Sequence, residues 1–316
     1  MRVPHGQHAG LSLVPPGIGA QDGPVKFGLF GINLDGLAVD PHAAVRVAVA
    51  AEESGWESIW ASEHYCLPEP WEKPAPAGAG RPMLDPFVAL ANVAAHTERI
   101  LLGTGVIVVP LHRPLMLAKH VASLDRVSGG RFQFGVGVGY LPQEFKALGV
   151  PLKDRGERLR EALAAIEAIW ADRPAAYQGK YVGFENVGAE PQPIQRPVPV
   201  HFGGGVAATF ERVVTRGRGW FGFALDLTAT KRAIAGIRRA EAEHERPKHL
   251  GALEISVTPD PNLELDDELV GAFAELGVTR LVPMPPREAA REPERIVQFV
   301  RSVGQRYCGE AQPVRR

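Results

Sequence analysis

The stretch SLDRVSGGRFQFGVGVGY, residues 123–140, decides the fold of this chain. Two glycines at 129–130 predict the end of a helix, because glycine readily adopts the left-handed conformation that closes one. The segment RFQFGVG, residues 131–137, has the apolar character of a buried strand. Its far end carries glycines at alternate positions, Gly135, Gly137 and Gly139. Bare main chain there suits either close approach by a ligand ring or phosphate, or a tight corner of a barrel.

These glycines do not form the dinucleotide fingerprint G-x-G-x-x-G. When the motif is started at Gly135, its last position is Tyr140, and when it is started at Gly137, that position is Pro142. The segment also lies deep in the chain rather than in a first strand-helix unit. A Rossmann-type nucleotide site is therefore not indicated here.

Composition narrows the class of protein. The chain has 316 residues, 45% hydrophobic and 22% charged, with a formal net charge of -1. These values are ordinary for one large globular domain, and without a basic block no nucleic-acid surface is expected. The longest apolar run, residues 100–111, is too short and too broken by glycine to span a bilayer. No membrane association is therefore expected.

The two ends of the chain lack periodic patterning. We expect residues 1–24 to be a flexible leader without the features of a signal peptide, residues 25–307 to be a single domain, and residues 308–316 to be a tail. Cys66 and Cys308 are far apart and have no metal-ligand spacing, which favours a reducing, cytoplasmic location.

From residue 25 onward, short apolar runs alternate with segments of helical period, which predicts parallel strands joined by crossover helices. Asp40-Pro41, Asp85-Pro86 and Pro114 mark helix starts. Residues 171–197, rich in proline, interrupt the alternation as an excursion before the fifth strand. The fold predicted is a (β/α)8 TIM-type barrel with an insertion after strand four, and an open doubly wound sheet is the alternative. The eight predicted strands span residues 25–30, 58–61, 100–108, 131–137, 198–202, 219–223, 252–257 and 279–284.

In a barrel of this type, chemistry is carried by the residues that follow the strands. After strand two comes Glu63-His64, and a histidine there can transfer protons, or can simply pack under a loop with Glu63 as its partner. After strand five comes Gly203-Gly204-Gly205, where free backbone N–H groups before a helix can bind a phosphate, or can form a plain turn. His112 and His201 are weaker candidates. Neither a metal site nor a nucleophile elbow is indicated.

Longer motifs resemble the luciferase-like monooxygenase superfamily of bacterial flavin and deazaflavin enzymes. The resemblance covers about residues 25–305. Within the superfamily, the sequence is most similar to the branch predicted to use the deazaflavin coenzyme F-420. It implies a TIM-type barrel, usually dimeric, with a tricyclic ring held over its mouth. The motifs that carry it are GWESIWASEH at 55–64, LDPFVALANVAAHTERILLGTGVIVVP at 84–110, RPLMLAKHVASLDRVSGGRFQFGVGVGYLPQEF at 113–145, and GGG at 203–205 with GRGW at 217–220.

The resemblance also implies roles for single residues. Glu63 and His64 match the acid-histidine pair after strand two, with His64 as acid or base beside the ring. Gly105-Val106 matches a frequent non-proline cis peptide behind the ring. The coenzyme contacts implied are Gly105, Val106, Gly137, Gly139 and Tyr140, together with Gly203, Gly204, Gly205 and Val206 around the phosphate. Members that oxidise sugar phosphates have a glutamate where this chain has Tyr140, which argues against that substrate class.

Three functions are consistent with these residues. The first is hydride transfer between coenzyme F-420 and a small organic substrate, with His64 handling the proton. The second is an FMN-dependent monooxygenase that receives reduced flavin from a partner reductase and reacts with oxygen. The third is a non-catalytic flavin-binding protein on the same barrel. A homodimer is expected in each case.

Overall fold

The computed structural model of this chain describes residues 23–171 and 173–309. The predicted leader lies outside the described residues except for its last two positions, and so does the predicted tail from residue 310 onward. Both assignments stay predictions. No helix in the described part of the chain is long and apolar enough to cross a membrane.

Strands and helices alternate along the described chain. The strands are β1 (Lys26–Phe30), β2 (Ser58–Ala61), β3 (Leu101–Thr104), β4 (Ile107–Val108), β5 (Phe132–Gly137), β6 (Ala175–Gln178), β7 (Gly183–Val187), β8 (Val200–Gly203), β9 (Gly219–Leu225), β10 (Glu254–Pro259) and β11 (Arg280–Leu281). The helices are α1 (Asp35–Val39), α2 (Pro41–Glu53), α3 (Pro86–Ala94), α4 (Pro114–Val127), α5 (Pro142–Ala147), α6 (Arg155–Ala171), α7 (Ala207–Arg216), α8 (Leu227–Glu243), α9 (Asp267–Glu275) and α10 (Pro293–Val303).

Eight of these strands close into a parallel barrel, which confirms the predicted fold. In barrel order they are β1, β2, β3, β5, β8, β9, β10 and β11, and β11 pairs again with β1. Strand β4 pairs with the far end of β5. Side chains such as Val47, Leu117 and Ile166 are buried between the barrel and its helices. The insertion after the fourth barrel strand contains α5 and the antiparallel hairpin β6–β7.

The local signals for helix starts are confirmed. Asp40 accepts hydrogen bonds from the backbone N–H groups of His42 and Ala43, at 3.0 and 3.1 Å. Asp85 accepts one from Val88 at 3.0 Å. Each aspartate satisfies N–H groups that the first helical turn leaves without partners, and the following proline has no N–H to satisfy.

Two predicted strands differ from the structure. The single strand expected over residues 100–108 is interrupted after Thr104 by a cis peptide between Gly105 and Val106, and it continues as β4. The strand expected over 279–284 is reduced to Arg280–Leu281, because prolines at 283 and 285 cannot donate to a ladder. Helices α1 and α5 and the β6–β7 hairpin were not predicted.

The bare main chain at Gly135 in β5 makes room for protein rather than for a ligand, which corrects part of the expectation. A side chain at Gly135 would collide with the carbonyl oxygen of Thr104 on the neighbouring strand β3. The Thr104 hydroxyl also bonds to both the carbonyl and the N–H of Gly135, at 2.8 and 2.9 Å. At Gly137 a Cβ would come within 2.6 Å of Val106. The barrel-corner interpretation therefore holds for Gly135, and Gly137 accommodates the chain just after the cis bond.

The motif LDRVSGGR before β5 is a structural clamp. The buried Asp125 carboxylate accepts hydrogen bonds from the backbone N–H groups of Ile194 and Gln195 and from the Gln195 side chain. Arg131 donates to backbone carbonyls at the end of α3, before β3 and after α4, namely those of Ala94, Thr97, Ile100 and Ser128. Both residues lie at the amino ends of the barrel strands, opposite the glycines of the mouth.

A buried ionic cluster closes the same amino end. Arg280, 2% exposed, donates to Glu57 at 2.5 and 2.7 Å and to Glu254 at 3.1 Å. Burial opposes ionisation of Glu254, but the charge of Arg280 and the charge and hydrogen bond of Arg218 outweigh it and lower its pKa to about 2. His201 Nε2 donates a hydrogen bond to the side-chain oxygen of Gln133 at 3.1 Å, and burial lowers the pKa of His201 to about 4. His201 is therefore a neutral core residue away from the mouth.

Candidate active site

The carboxyl ends of the barrel strands open into a cavity of about 1280 Å³. Its wall includes nearly every residue that the sequence singles out: Glu63, His64, Gly105, Val106, Gly137, Gly139, Tyr140, Gly203, Gly204 and Gly205. Val206 is the exception, because its side chain is 63% exposed and is not part of the cavity wall. Residues from four separate strand ends are thus brought together at one site.

His64 is fixed by a carboxylate that the sequence did not indicate. Its Nδ1 lies 3.1 Å from Oε2 of Glu144, in the first turn of α5, and the Glu144 side chain is almost fully buried. The other oxygen of Glu144 accepts a hydrogen bond from the backbone N–H of Tyr65 at 2.6 Å. The expectation that Glu63 partners His64 is therefore wrong. No hydrogen bond to His64 Nε2 occurs within residues 23–171 and 173–309.

Glu63 has a different pair of partners. Its Oε2 accepts a hydrogen bond from Val108 N at 2.6 Å, and its Oε1 lies 2.9 Å from His112 Nε2. The Glu63 and His112 side chains are 2% and 7% exposed. Glu63 thereby ties the end of β2 to β4, just after the cis bond. His112, which the sequence made a weak candidate, also lies 3.2 Å from the Tyr65 hydroxyl.

Val106 forms a raised floor in the cavity. The peptide bond between Gly105 and Val106 is cis, as the resemblance implies. The Val106 side chain lies between Gly137 and Gly203, where added Cβ atoms would come within 2.6 and 3.0 Å of it. A side chain at Gly105 would contact Phe221 at 2.8 Å. Because Gly105, Gly137 and Gly203 have no side chains, the bulge at Val106 can pack closely against the residues on both sides of it.

The turn after β8 has open backbone facing the cavity. Gly204 has φ +121°, a conformation that disfavours other residues, and its carbonyl accepts a hydrogen bond from Trp220 Nε1 at 2.8 Å. A Cβ at Gly205 would meet nothing within 4 Å. Helix α7 begins two residues later with no side-chain cap on its first N–H groups. Free N–H groups and the positive end of the helix dipole both favour an anion at this turn.

Tyr140 stands beside His64 at the mouth. The two rings meet edge to face, with centroids 5.9 Å apart and an interplanar angle of 87°. Burial, together with the charge of Glu144, raises the pKa of the Tyr140 phenol. The hydroxyl of Tyr140 is therefore protonated at neutral pH and can donate a hydrogen bond.

Much of the remaining wall is apolar. Phe30 and Phe221 pack together with centroids 6.2 Å apart, and Phe223 lies 4.9 Å from Phe30. Met83 and Met284 pack against the same cluster from the loops before α3 and after β11. An apolar wall with a few polar groups is typical of sites for cofactors and small organic ligands. Sequence reasoning missed these residues because their apolar character did not separate them from the core.

No group of three His, Cys, Asp or Glu side chains in the described part of the chain is placed to hold a metal ion. The titratable groups of the mouth are instead used in pairs, His64 with Glu144 and His112 with Glu63.

The family model described as luciferase-like monooxygenase matches residues 29–267. The match spans most of the chain, and the chain belongs to this family. Members of the family are F-420- or FMN-dependent oxidoreductases and monooxygenases, so the protein is an enzyme of this class. Its homologues act on small-molecule substrates. A purely flavin-binding protein is not supported.

Individual proteins agree with this placement. An uncharacterized protein of Mycobacterium tuberculosis is 33% identical over 263 residues, 79% of this chain and 89% of that protein. The F-420-dependent glucose-6-phosphate dehydrogenase of Gordonia bronchialis is 30% identical over 244 residues, 72% of this chain and 68% of that protein. An FMN-bound Baeyer-Villiger monooxygenase from Pseudomonas putida shares the fold, with TM-score 0.71 and 16% identity over 92% of this chain and 100% of that chain.

Proposed function

We propose that this enzyme transfers a hydride between the deazaflavin coenzyme F-420 and a small organic substrate, with His64 handling the coupled proton. The observation that carries the proposal is the convergence of His64, the Val106 bulge and the open glycine turn on one cavity. The relative that favours F-420 over FMN is the glucose-6-phosphate dehydrogenase, which aligns over 72% of the chain. A cytoplasmic homodimer remains part of the proposal.

The residues of the cavity fit a tricyclic ring that carries a phosphate. Gly205 has open space in place of a side chain, and the uncapped N–H groups of α7 follow it, so a phosphate would meet backbone donors there. Val106 offers an apolar surface on the cavity floor, where a flat ring would pack. Val206 is not needed for either contact.

The protein supplies orientation and proton transfer. When bound, the deazaflavin provides the carbon that gives or accepts hydride. His64 Nε2, which has no partner among the described residues, takes up or releases the proton of the substrate. Tyr140 donates a hydrogen bond at the mouth, and the buried rings of Phe30 and Phe221 exclude water from the reacting groups.

The substrate is proposed to be something other than a sugar phosphate. Tyr140 occupies the place at which the sugar-phosphate branch has a glutamate, and a phenol that stays protonated is a poor substitute for a carboxylate that exchanges protons. Small ketones, alcohols and unsaturated carbonyl compounds are the first substrates to screen, by following the absorbance of oxidised F-420.

The coenzyme assignment is tested by titrating the purified protein with F-420 and, separately, with FMN, using fluorescence or calorimetry. We expect F-420 to bind at least about tenfold more tightly, a difference of about 1.4 kcal/mol. Tighter binding of FMN would favour the second function, an FMN-dependent monooxygenase served by a reductase.

Gly205→Val tests the proposed phosphate contact. It puts a side chain where the structure has open space, so we expect an unchanged Tm but weaker binding of F-420 by about tenfold or more. Binding of the same chromophore without its phosphate should change much less. Equal losses for both ligands would show that the phosphate does not lie at this turn.

A further inference from the structure

Glu144 is a buried carboxylate at the mouth, and both of its oxygens have partners. It lies in the first turn of α5 and is 1% exposed. Its two oxygens bond to consecutive residues of the segment after β2, Oε2 to the ring of His64 and Oε1 to the backbone N–H of Tyr65. The carboxylate therefore joins α5, which follows β5, to the segment that follows β2.

The hydrogen-bond partners of Glu144 determine which nitrogen of His64 carries the proton. The Tyr65 N–H can only donate, and an ionised carboxylate can only accept. The 3.1 Å contact between Oε2 and Nδ1 is therefore a hydrogen bond only when Nδ1 carries the proton. In neutral imidazole, one nitrogen then remains as an acceptor, and that nitrogen is Nε2.

Glu63 cannot perform this role although it is adjacent to His64 in the sequence. Both of its oxygens are engaged, one by Val108 N and the other by His112 Nε2. Glu63 thus orients His112, and Glu144 orients His64.

We propose that Glu144 is a positioning residue that holds His64 as the Nδ1–H tautomer, so that Nε2 faces the cavity as a proton acceptor. This inference rests on the proposed role of His64 in proton transfer, but the tautomer can be measured without any substrate.

The wild-type enzyme provides the first test. Protein labelled with ¹⁵N at histidine is studied by NMR at about pH 9, well above the pKa near 6.5 of a free imidazole. The His64 signals are assigned by their absence from His64→Ala. We expect a protonated Nδ1 and an unprotonated Nε2. A His64 ring protonated at Nε2 would overturn the proposal, whatever the coenzyme titration shows.

Glu144→Gln provides the second test, because the amide has a single workable orientation. Its oxygen must accept from the Tyr65 N–H, so its NH₂ group faces His64 Nδ1 and forces the proton onto Nε2. We expect a switched tautomer and a Tm close to that of the wild type. Turnover of a substrate found by the screen should fall at least about 100-fold, with the Kd for F-420 changed less than about threefold.

Glu63→Gln is the matched control, since it changes an equally buried carboxylate in the same region. It should alter the signals of His112 and leave those of His64 unchanged. A His64 tautomer that is the same in Glu144→Gln as in the wild type would refute the inference. A switched tautomer with full turnover would leave the positioning role in place and would count against the proposed role of His64 in proton transfer. If His64→Ala itself keeps full turnover, the proposed function fails while the tautomer result stands on its own.

Discussion

The two nitrogens of His64 have unlike surroundings. Nδ1 lies against the buried carboxylate of Glu144, while Nε2 has no hydrogen-bond partner in the described part of the chain. The side chain is only 11% exposed, so its orientation is set by the protein. A base with one nitrogen fixed and the other available is prepared for proton transfer before the substrate arrives.

His64→Ala tests this role directly. We expect turnover of a screened substrate to fall about 100- to 10,000-fold, which is the usual contribution of a positioned acid or base. The Kd for F-420 should remain within about threefold, since the proposed contacts with the ring and the phosphate lie on other strand ends. Steady-state kinetics and a coenzyme titration measure the two quantities, and unchanged turnover would remove His64 from the mechanism.

At this scale the sequence identified His64 but not what holds it. A residue directly after a barrel strand is recognisable from local pattern alone. Glu144 is 80 positions further along the chain, so only the closed barrel brings it to His64. The adjacent Glu63 was the wrong partner, because its side chain turns toward β4.

Among the elements, the clamp before β5 explains why a motif rich in charge need not be catalytic. Asp125 is fully buried and satisfies N–H groups of the segment that leads into β8. Arg131 satisfies carbonyl groups around β3. Buried backbone groups without partners are costly, so these two side chains stabilise connections that contain no regular ladder.

Asp125→Ala should therefore destabilise the fold without affecting the coenzyme. It leaves the N–H groups of Ile194 and Gln195 without an acceptor, at a cost of about 3 kcal/mol in the free energy of unfolding. Urea unfolding at pH 7.5 measures the loss. Asp125→Asn, which keeps one acceptor oxygen, should lose less. Under conditions in which both variants are fully folded, F-420 should bind to them as tightly as to the wild type.

The elements were predictable where their signals are local. Aspartate followed by proline marks the starts of α2 and α3 because the cap acts within four residues. The break between β3 and β4 was not predictable from the apolar run alone, since residues 100–108 have no charge or proline before 110 to interrupt them. The β6–β7 hairpin was hidden in a proline-rich segment that resembles an irregular loop.

In the whole molecule, the two ends of the barrel have separate tasks. The cavity with His64 lies at the carboxyl ends of the strands, whereas Arg280, Glu57 and Glu254 close the amino ends. His201 lies beside that cluster as a buried neutral ring. Stability therefore depends on titratable groups that are remote from the site.

This arrangement predicts loss of stability in mild acid. In the unfolded chain His201 takes up a proton near pH 6.5, whereas in the folded chain burial delays protonation until about pH 4. Protonation between these values favours the unfolded state, so the stabilisation is complete above pH 6.5 and is lost as the pH falls toward 4. We expect His201 to account for about 3 kcal/mol of this loss.

The control is His201→Gln, which keeps a polar partner for Gln133 but does not titrate. Urea unfolding at several pH values between 7 and 4 should give a shallower decline for the variant than for the wild type. Glu254, with a pKa of about 2, adds a second decline below pH 4.5 in both proteins. Parallel curves for the two proteins across pH 6.5 to 4 would contradict the assignment.

The apolar wall at the mouth shapes how this enzyme can change over evolutionary time. Phe223 is 46% exposed, and Met83 and Met284 reach the cavity from loops rather than from barrel strands. Replacing them alters the shape of the chamber without touching Asp125, Arg131 or the ionic cluster. Libraries randomised at these three positions are therefore a direct route to altered substrate selectivity that keeps the buried polar networks of the fold unchanged.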